Sequence, residues 1–337
     1  MKAVYQTGYG SPDVLDLRDV PMPSVGDEEV LVRVRAASLH PDVWHVVSGR
    51  PWVLRLMGAG LARPRNPIPG TDAAGIVESV GARVTRFRRG DEVFGQTLSR
   101  IEWTNGGAFA EYVSVRQHYL AMKPPNVTFE QAASVPTSGY IALVNLRGGR
   151  GIRPGQTVLV NGAAGGVGSL AVQLLKSYGA HVTGVDGPAK LETLRTLGAD
   201  EVIDYTVEDF THRGVRYDFI FDVPGNHSFA ACRRALEPDG RYVLIGHEGY
   251  GASGKRVLGL IPRFVGLIFR SFFVKQLRLG REWVPSRQEA VAVLGELLEA
   301  GTITPIIDRT YPLGAVRDAL QYLMTGKARG RVILCPG

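Results

Sequence analysis

At 337 residues the chain is longer than one hydrophobic core ordinarily serves, and 45% apolar with 21% charged residues excludes a disordered or fibrous chain and predicts two globular domains. A formal charge of +7 does not make a nucleic-acid partner: the densest basic run, Arg83 to Arg89, alternates with apolar residues and runs into Asp91-Glu92, with no zinc-finger spacing or helix-turn-helix pattern beside it. The two cysteines, Cys232 and Cys335, are far apart and exclude a disulfide framework, which points to a reducing cytoplasmic setting, as does an opening "MKAVYQTGYG" without a signal-peptide core.

Residues 1–124 read as a compact, mostly-β domain. Short β-branched runs, "EVLVRVRAAS", "AAGIVESVG", "GDEVFGQ" and "GAFAEYVSV", alternate with Gly, Pro and Asp turns. From 125 to 280 the rhythm changes to apolar strands alternating with helices: "QTVLVNG", "SLAVQLLKSYG", "HVTGVD", "KLETLRTLG", "EVIDY", "YDFIFDV", "FAACRRALE" and "RYVLIG". Uniformly apolar strands suit a sheet covered on both faces, so the fold class is α/β with a doubly wound parallel sheet. Residues 281–337 then add a helix, 287–301, and two strands, "IIDRTYPL" and "GRVILCP". The stretch 257–274, "VLGLIPRFVGLIFRSFFV", is interrupted by Arg263 and Arg270 and broken by Pro262, so no membrane span is expected there. It reads as a helix burying one face, a flap over an apolar substrate, or a peripheral membrane contact.

Mid-chain, a strand at Thr157–Val160 feeds into Gly162-Ala163-Ala164-Gly165-Gly166-Val167-Gly168, and a helix over Ser169–Tyr178 follows. In that frame the glycines form a GxxGxxG variant of the dinucleotide fingerprint. The middle glycine admits the pyrophosphate, the last lets helix and sheet pack closely, and the helix N-terminus offers free amides. Asp186 ends the second strand 18 residues beyond Gly168, where an acid binds ribose hydroxyls of NAD and repels a 2′-phosphate. Lys190 and Tyr205 pull toward NADP, or serve only as a first-turn lysine and a strand-end aromatic.

Successive landmarks, "VLVRVRAAS", "IPGTDAAGIVESVGARVTRFRRGDEVFG", "GGAFAEYV", "VPTSGYIALVNL", "PGQTVLVNGAAGGVG", "LGADEVIDY" and "GRVIL", resemble the medium-chain dehydrogenase/reductase superfamily in its zinc-free quinone oxidoreductase branch. The resemblance spans nearly the whole chain. It implies a GroES-like catalytic domain over 1–124, completed by 281–337, with a Rossmann domain over 125–280 inserted between them, and a homodimer. It also implies an enzyme that passes hydride from NADPH or NADH to a small quinone, enone or other carbonyl, with residues 40–52 and 257–274 on the substrate side.

Zinc members of that superfamily carry Gly-His-Glu where this chain has Gly70-Thr71-Asp72, and a cysteine near the place of His40. The reading is therefore of an enzyme without metal, which relies on hydrogen-bond donors for the charge that hydride transfer develops. The branch's usual Asn-Pro is here His40-Pro41. His40 is the candidate donor to the substrate oxygen, or proton donor to an enolate, with a structural loop histidine as the other reading. Trp44 is the candidate pocket wall, and Ile141 stands where many relatives place a threonine. The resemblance puts Lys190 and Tyr205 on the 2′-phosphate, usually with a small residue at the place of Asp186, and so favours NADPH slightly. Gly225 and Gly246, in "FDVPGN" and "LIGHEG", stand at strand ends beside the nicotinamide. Alcohol or aldehyde dehydrogenase chemistry and a catalytically silent nucleotide sensor remain as other readings. Tyr119 to Lys123 spells YxxxK but runs into Pro124-Pro125, which spoils the helix that dyad needs.

Overall fold

The computed structural model describes residues 1–98, 104–147, 151–246, 257–259, 261–278 and 285–337. The chain divides into two units: Met1–Tyr140 with Tyr250–Gly259 and Ser286–Gly337, and Ile141–Gly249 with Leu260–Pro285.

The first unit opens with an antiparallel pair, β1 (Lys2–Gln6) and β2 (Leu15–Asp19). β3 (Glu29–Leu39) follows. Its Val30, Val32 and Val34 are buried while Arg33 and Arg35 face solvent, and from Ala36 onward every residue is buried. The small side chains of Ala36, Ala37 and Ser38 let neighbours close on both sides. β3 delivers His40 to the start of α1 (Pro41–Ser48), with Pro41 in the first turn and Gly49 at φ +61° ending the helix. β4 (Asp72–Val80), β5 (Glu92–Gln96), β6 (Tyr112–Arg116) and β7 (Leu120–Met122) complete the N-terminal strands. α2 (Phe129–Ala133) opens on a Thr128–Gln131 capping box, and α3 (Pro136–Arg147) follows.

In the second unit β8 (Thr157–Asn161), α4 (Gly166–Ser177), β9 (His181–Asp186), α5 (Leu191–Thr196), β10 (Glu201–Asp204), β11 (Tyr217–Asp222), α6 (Phe229–Arg234) and β12 (Leu236–Leu244) follow, then α7 (Ile261–Ser271). The sheet runs β10-β9-β8-β11-β12 and every pairing is parallel. Taken from β8, that order is the Rossmann half-sheet with its reversal between β8 and β11, beyond whose carboxyl ends such sheets bind ligands. Val158, Leu159 and Val160 are wholly buried, as a sheet covered on both faces requires. Two expectations shift. α4 begins at Gly166, three residues earlier than the apolar period indicates, because the glycines themselves wind its first turn. Pro262 does not break α7: it stands in the first turn, where no amide is needed. Leu260 lies outside the described residues.

The chain then returns to the first unit with α8 (Arg287–Glu299), capped by Ser286 and Glu289, β13 (Ile307–Pro312), α9 (Val316–Met324) and β14 (Arg331–Cys335). β14 lies antiparallel to β3, with Val332 opposite Leu39, so the sheet reads β13-β14-β3-β4-β5-β7 with β6 also on β3. Its core gathers Val32, Val34, Leu39, Val77, Phe109, Leu320 and Leu334. The change of rhythm after residue 124 precedes the change of unit after Tyr140. α2 packs on β3 and β4, and Asn126 donates to the carbonyls of Leu298 and Glu299, so 125–140 lie with the first unit. The expected 280/281 break falls outside the described residues. Among the described residues no helix is long and apolar enough to cross a membrane.

Candidate active site

In the second unit each glycine of the turn after β8 meets a different constraint. Gly162 holds φ +75°, a conformation that side chains rarely adopt. Gly168 lies so close under the turn that a Cβ there would stand 2.2 Å from the Gly162 oxygen and 2.7 Å from the Ala163 Cα. Gly165, at the N-cap of α4, has ordinary φ and ψ of −75° and 174°, and a Cβ there would meet only the Gly162 oxygen at 3.4 Å. Neither strain nor crowding within the fold explains glycine at this position. The first-turn amides of Gly166, Val167 and Gly168 beside it are donors of the kind a pyrophosphate takes.

At the end of β9 the structure brings Asp186, Lys190 and Tyr205 together. Asp186 is buried, and its carboxylate accepts from the Ala164 N–H and from the Gly187 N–H, both at 2.9 Å. Lys190 Nζ lies 3.6 Å from the same carboxylate. The exposed Tyr205 ring stands beside Gly187, and the Tyr205 N–H donates to the Asp186 carbonyl at 3.3 Å. Asp186 is thus a brace on the glycine turn, its charge offset by Lys190.

At the sheet's reversal Asn161 Nδ2 donates to Asp222 Oδ1 and to Asn226 Oδ1, each at 2.9 Å. The fully buried Asp222 also accepts from the Gly225 N–H at 3.0 Å and the Tyr242 hydroxyl at 2.8 Å. Burial and the Asp222 charge push the Tyr242 phenol well above its usual range, and push the adjacent Cys232 thiol up to about 12. Gly225, at φ +60°, and Gly246 are neighbours, a Cβ on the first falling 3.0 Å from the carbonyl of the second. Arg263 of α7 reaches this loop and donates to the carbonyls of Gly225 and His227. The remainder of "LIGHEG", 247–249, lies outside the described residues. Asn161 and Asp222 were not singled out from the sequence, and Arg263 only as an interruption of the apolar stretch; the polar Asn161 and Asp222 ending otherwise apolar strands are the signal that marks them.

In the first unit His40 is buried at the end of β3, with Nε2 2.5 Å from the Thr71 hydroxyl and Nδ1 3.4 Å from Asp42. Burial acts to raise the Asp42 carboxyl, but the hydrogen bond and charge of His40, with His45 and Arg331, hold it below the usual carboxylate range. Next to Thr71, the fully buried Asp72 accepts from the Thr137 hydroxyl at 2.6 Å and the Thr137 N–H at 2.9 Å, fixing the start of α3. Burial raises its carboxyl above the usual value, against the pull of His40, Thr137 and Arg331. Trp44 is half-buried against the unit's core. Beyond α1, Arg55, Leu56 and Gly60 to Arg65 line an open cavity of about 640 Å³, with the Tyr9 hydroxyl donating to the Gly60 carbonyl at 2.7 Å. Sequence reasoning did not single out Thr71 as a partner of His40, nor this cavity.

Both Asp72 oxygens accept from Thr137 and His40 Nε2 lies against the Thr71 hydroxyl, and among the described residues no three His, Cys, Asp or Glu side chains gather as ligands.

Residues 26–125 match the alcohol dehydrogenase GroES-like domain family, and residues 197–334 the zinc-binding dehydrogenase family. The chain is 34% identical over 347 residues to 2-methylene-furan-3-one reductase of Solanum lycopersicum, covering 100% of this chain and 79% of that one. It is 33% identical over 348 residues to the chloroplastic NADPH-dependent alkenal/one oxidoreductase of Arabidopsis thaliana, at 100% and 80% coverage. The quinone oxidoreductase structure from Coxiella burnetii superposes with a TM-score of 0.81 at 28% identity, covering 100% of this chain and 99% of the other. With a GroES-like β domain, a Rossmann-like parallel sheet and relatives at this distance, the chain belongs to the medium-chain dehydrogenase/reductase superfamily, in its quinone oxidoreductase-like branch.

Proposed function

We propose that this protein is an NADPH-dependent reductase that delivers hydride, without a metal, to a quinone or to the β-carbon of an α,β-unsaturated carbonyl. The observation that carries the reading is the turn at Gly165, whose glycine the fold itself does not require and a pyrophosphate does. The relatives' printed names, a 2-methylene-furan-3-one reductase and an NADPH-dependent alkenal/one oxidoreductase, support the substrate class. A bound nicotinamide dinucleotide supplies the hydride. Gly165, Gly166, Val167 and Gly168 hold its pyrophosphate, Gly225 and Gly246 border the nicotinamide end, and Lys190 and Tyr205 receive the 2′-phosphate.

Asp186 does not oppose that assignment. Its carboxylate is occupied by the Ala164 and Gly187 amides and offset by Lys190, so it braces the cradle in place of gripping a ribose. In the first unit, His40 supplies the proton that completes the two-electron reduction, directly or through the Thr71 hydroxyl, while Asp42 orients the imidazole. Donors suffice because hydride addition to an enone or quinone places the new charge on an oxygen that a hydrogen bond stabilises. Trp44 supplies apolar bulk on the substrate side. The working form in this reading is a cytoplasmic homodimer acting on small molecules and not on nucleic acid.

The test is a panel of quinones, enones and aldehydes with NADPH or NADH, followed by loss of reduced-nicotinamide absorbance. NADPH with quinones or enones turns over fastest in this reading. Cofactor binding without turnover of any member overturns it in favour of a nucleotide sensor, and preference for aldehydes in favour of alcohol dehydrogenase chemistry.

A further inference from the structure

Helix α7 is amphipathic: Arg263 and Arg270 interrupt its apolar residues, and the fold covers only part of the apolar side. Leu267, with Val274 just beyond the helix, packs against the core of the second unit. Val265, Ile268 and Phe269 on the helix, with Phe272 and Phe273 in the turn that follows it, stand at i, i+3, i+4, i+7 and i+8, the spacing that ordinarily marks a core-facing stripe, yet they are between 56% and 74% exposed. Phe269 and Phe273 pack their rings together at 5.6 Å on this outer side. A contiguous aromatic stripe turned to water marks an interaction surface.

Charge narrows the partner. Residues 261–278 contain Arg263, Arg270, Lys275 and Arg278 and no aspartate or glutamate. Arg263 is turned inward to the Gly225 and His227 carbonyls, and Lys275 pairs with Asp239 at 2.6 Å. Arg270 and Arg278 are exposed beside the stripe. We propose that the outer face of α7 docks on an anionic lipid bilayer, with Phe269, Phe272 and Phe273 entering the interface and Arg270 and Arg278 meeting the headgroups. A helix with an aromatic face, cations and no acids lies in the interface plane, and eleven residues are too few to cross. A second copy of this chain seated on this face through the same segment would bring its cations to these arginines, with no acid on the segment to answer them.

Through Arg263 the docked helix is tied to the loop at Gly225, assigned above to the nicotinamide end. Resting on the reductase reading, the docking gives the enzyme quinones or enones whose apolar tails hold them in a bilayer.

The test sediments the full chain with vesicles of phosphatidylcholine alone and of phosphatidylcholine mixed with phosphatidylglycerol. Binding to the anionic vesicles exceeds binding to the neutral ones by at least about tenfold and is released by salt. The double variant Phe269→Ser, Phe273→Ser loses it, and Arg270→Glu weakens it with the apolar stripe intact. Both variants retain wild-type circular dichroism and NADPH binding. Failure of the wild-type protein to bind anionic vesicles, or equal binding by the variants, overturns the proposal. So does a change in oligomeric state of the double variant with vesicle binding unchanged, which assigns the stripe to a second copy. Turnover of a water-soluble quinone without vesicles reports on the reductase reading separately, so vesicle binding without such turnover supports the docking and rejects only the chemistry.

Discussion

Asp186, at the end of β9, accepts a 2.9 Å hydrogen bond from the backbone N–H of Ala164, inside the glycine turn that follows β8. The acid that by position would meet a ribose thus holds the glycine turn in shape. Asp186→Ala leaves one buried and one half-buried amide without their acceptor, at a cost of about 1–3 kcal/mol, and lowers thermal stability and the affinity for NADPH and NADH together. Lys190→Ala lowers NADPH affinity by roughly tenfold, the loss of one charge-assisted phosphate contact, and leaves NADH nearly unchanged. Fluorescence titration of both cofactors measures the two effects, and an Asp186 effect confined to NADH contradicts the brace.

The glycines of the turn separate folding from binding. Gly168→Ala drives a Cβ to 2.2 Å from the Gly162 oxygen and forces α4 off the turn, so the melting temperature falls. Gly165→Ala meets one atom at 3.4 Å and keeps the fold, but its methyl occupies the pyrophosphate's space. NADPH binding falls by at least about tenfold while the melting temperature holds, a loss typical of displaced phosphate contacts. Calorimetry of the two variants, with and without NADPH, distinguishes these outcomes.

His40 and Thr71 act as one proton-delivering pair in this account. His40→Gln lowers kcat by roughly 100-fold, at the lower end of what a positioned acid contributes, with little change in KM. Thr71→Val lowers kcat less. An unchanged kcat in both variants returns His40 to a structural role.

The Asp42 carboxyl is held below its usual range in the folded chain. An acid depressed on folding contributes stability above its unfolded value, roughly pH 4, and loses it as pH falls through the folded value. The denaturation midpoint of Asp42→Asn lies below wild type at pH 7, and the gap closes as the solution is acidified below that point.

Cys232 is fully buried and its thiol is pushed up to about 12 by burial and by Asp222. It is protonated and shielded at pH 8, so a thiol reagent labels Cys232 in the native protein far more slowly than in denaturant. Mass spectrometry of the labelled peptides assigns the site.

How far these features could be read in advance depends on the distance over which each is decided. The strand–turn–helix frame at 157–177 was legible because a strand, a glycine turn and a helix are settled within a short stretch, each by its own backbone requirement. The parallel sheet was legible because unbroken apolar strands such as Val158 to Val160 permit few other arrangements. The partners were not. His40 meets Thr71 across 31 residues and Asp186 meets Ala164 across 22, and such pairings depend on strand register. For α7, periodicity located the apolar side chains but could not say which of them would face the core, because Leu267 and the stripe from Val265 to Phe273 are equally apolar.

The central claim is hydride transfer to a quinone or enone by a cradle and hydrogen-bond donors alone. Its most direct measurement is the initial rate of NADPH oxidation by purified protein with a water-soluble quinone and with an enone, before and after exhaustive chelation. The account predicts turnover of at least one of them, at a rate that chelation does not change and added zinc does not raise. Activity abolished by chelation and restored by zinc would contradict it.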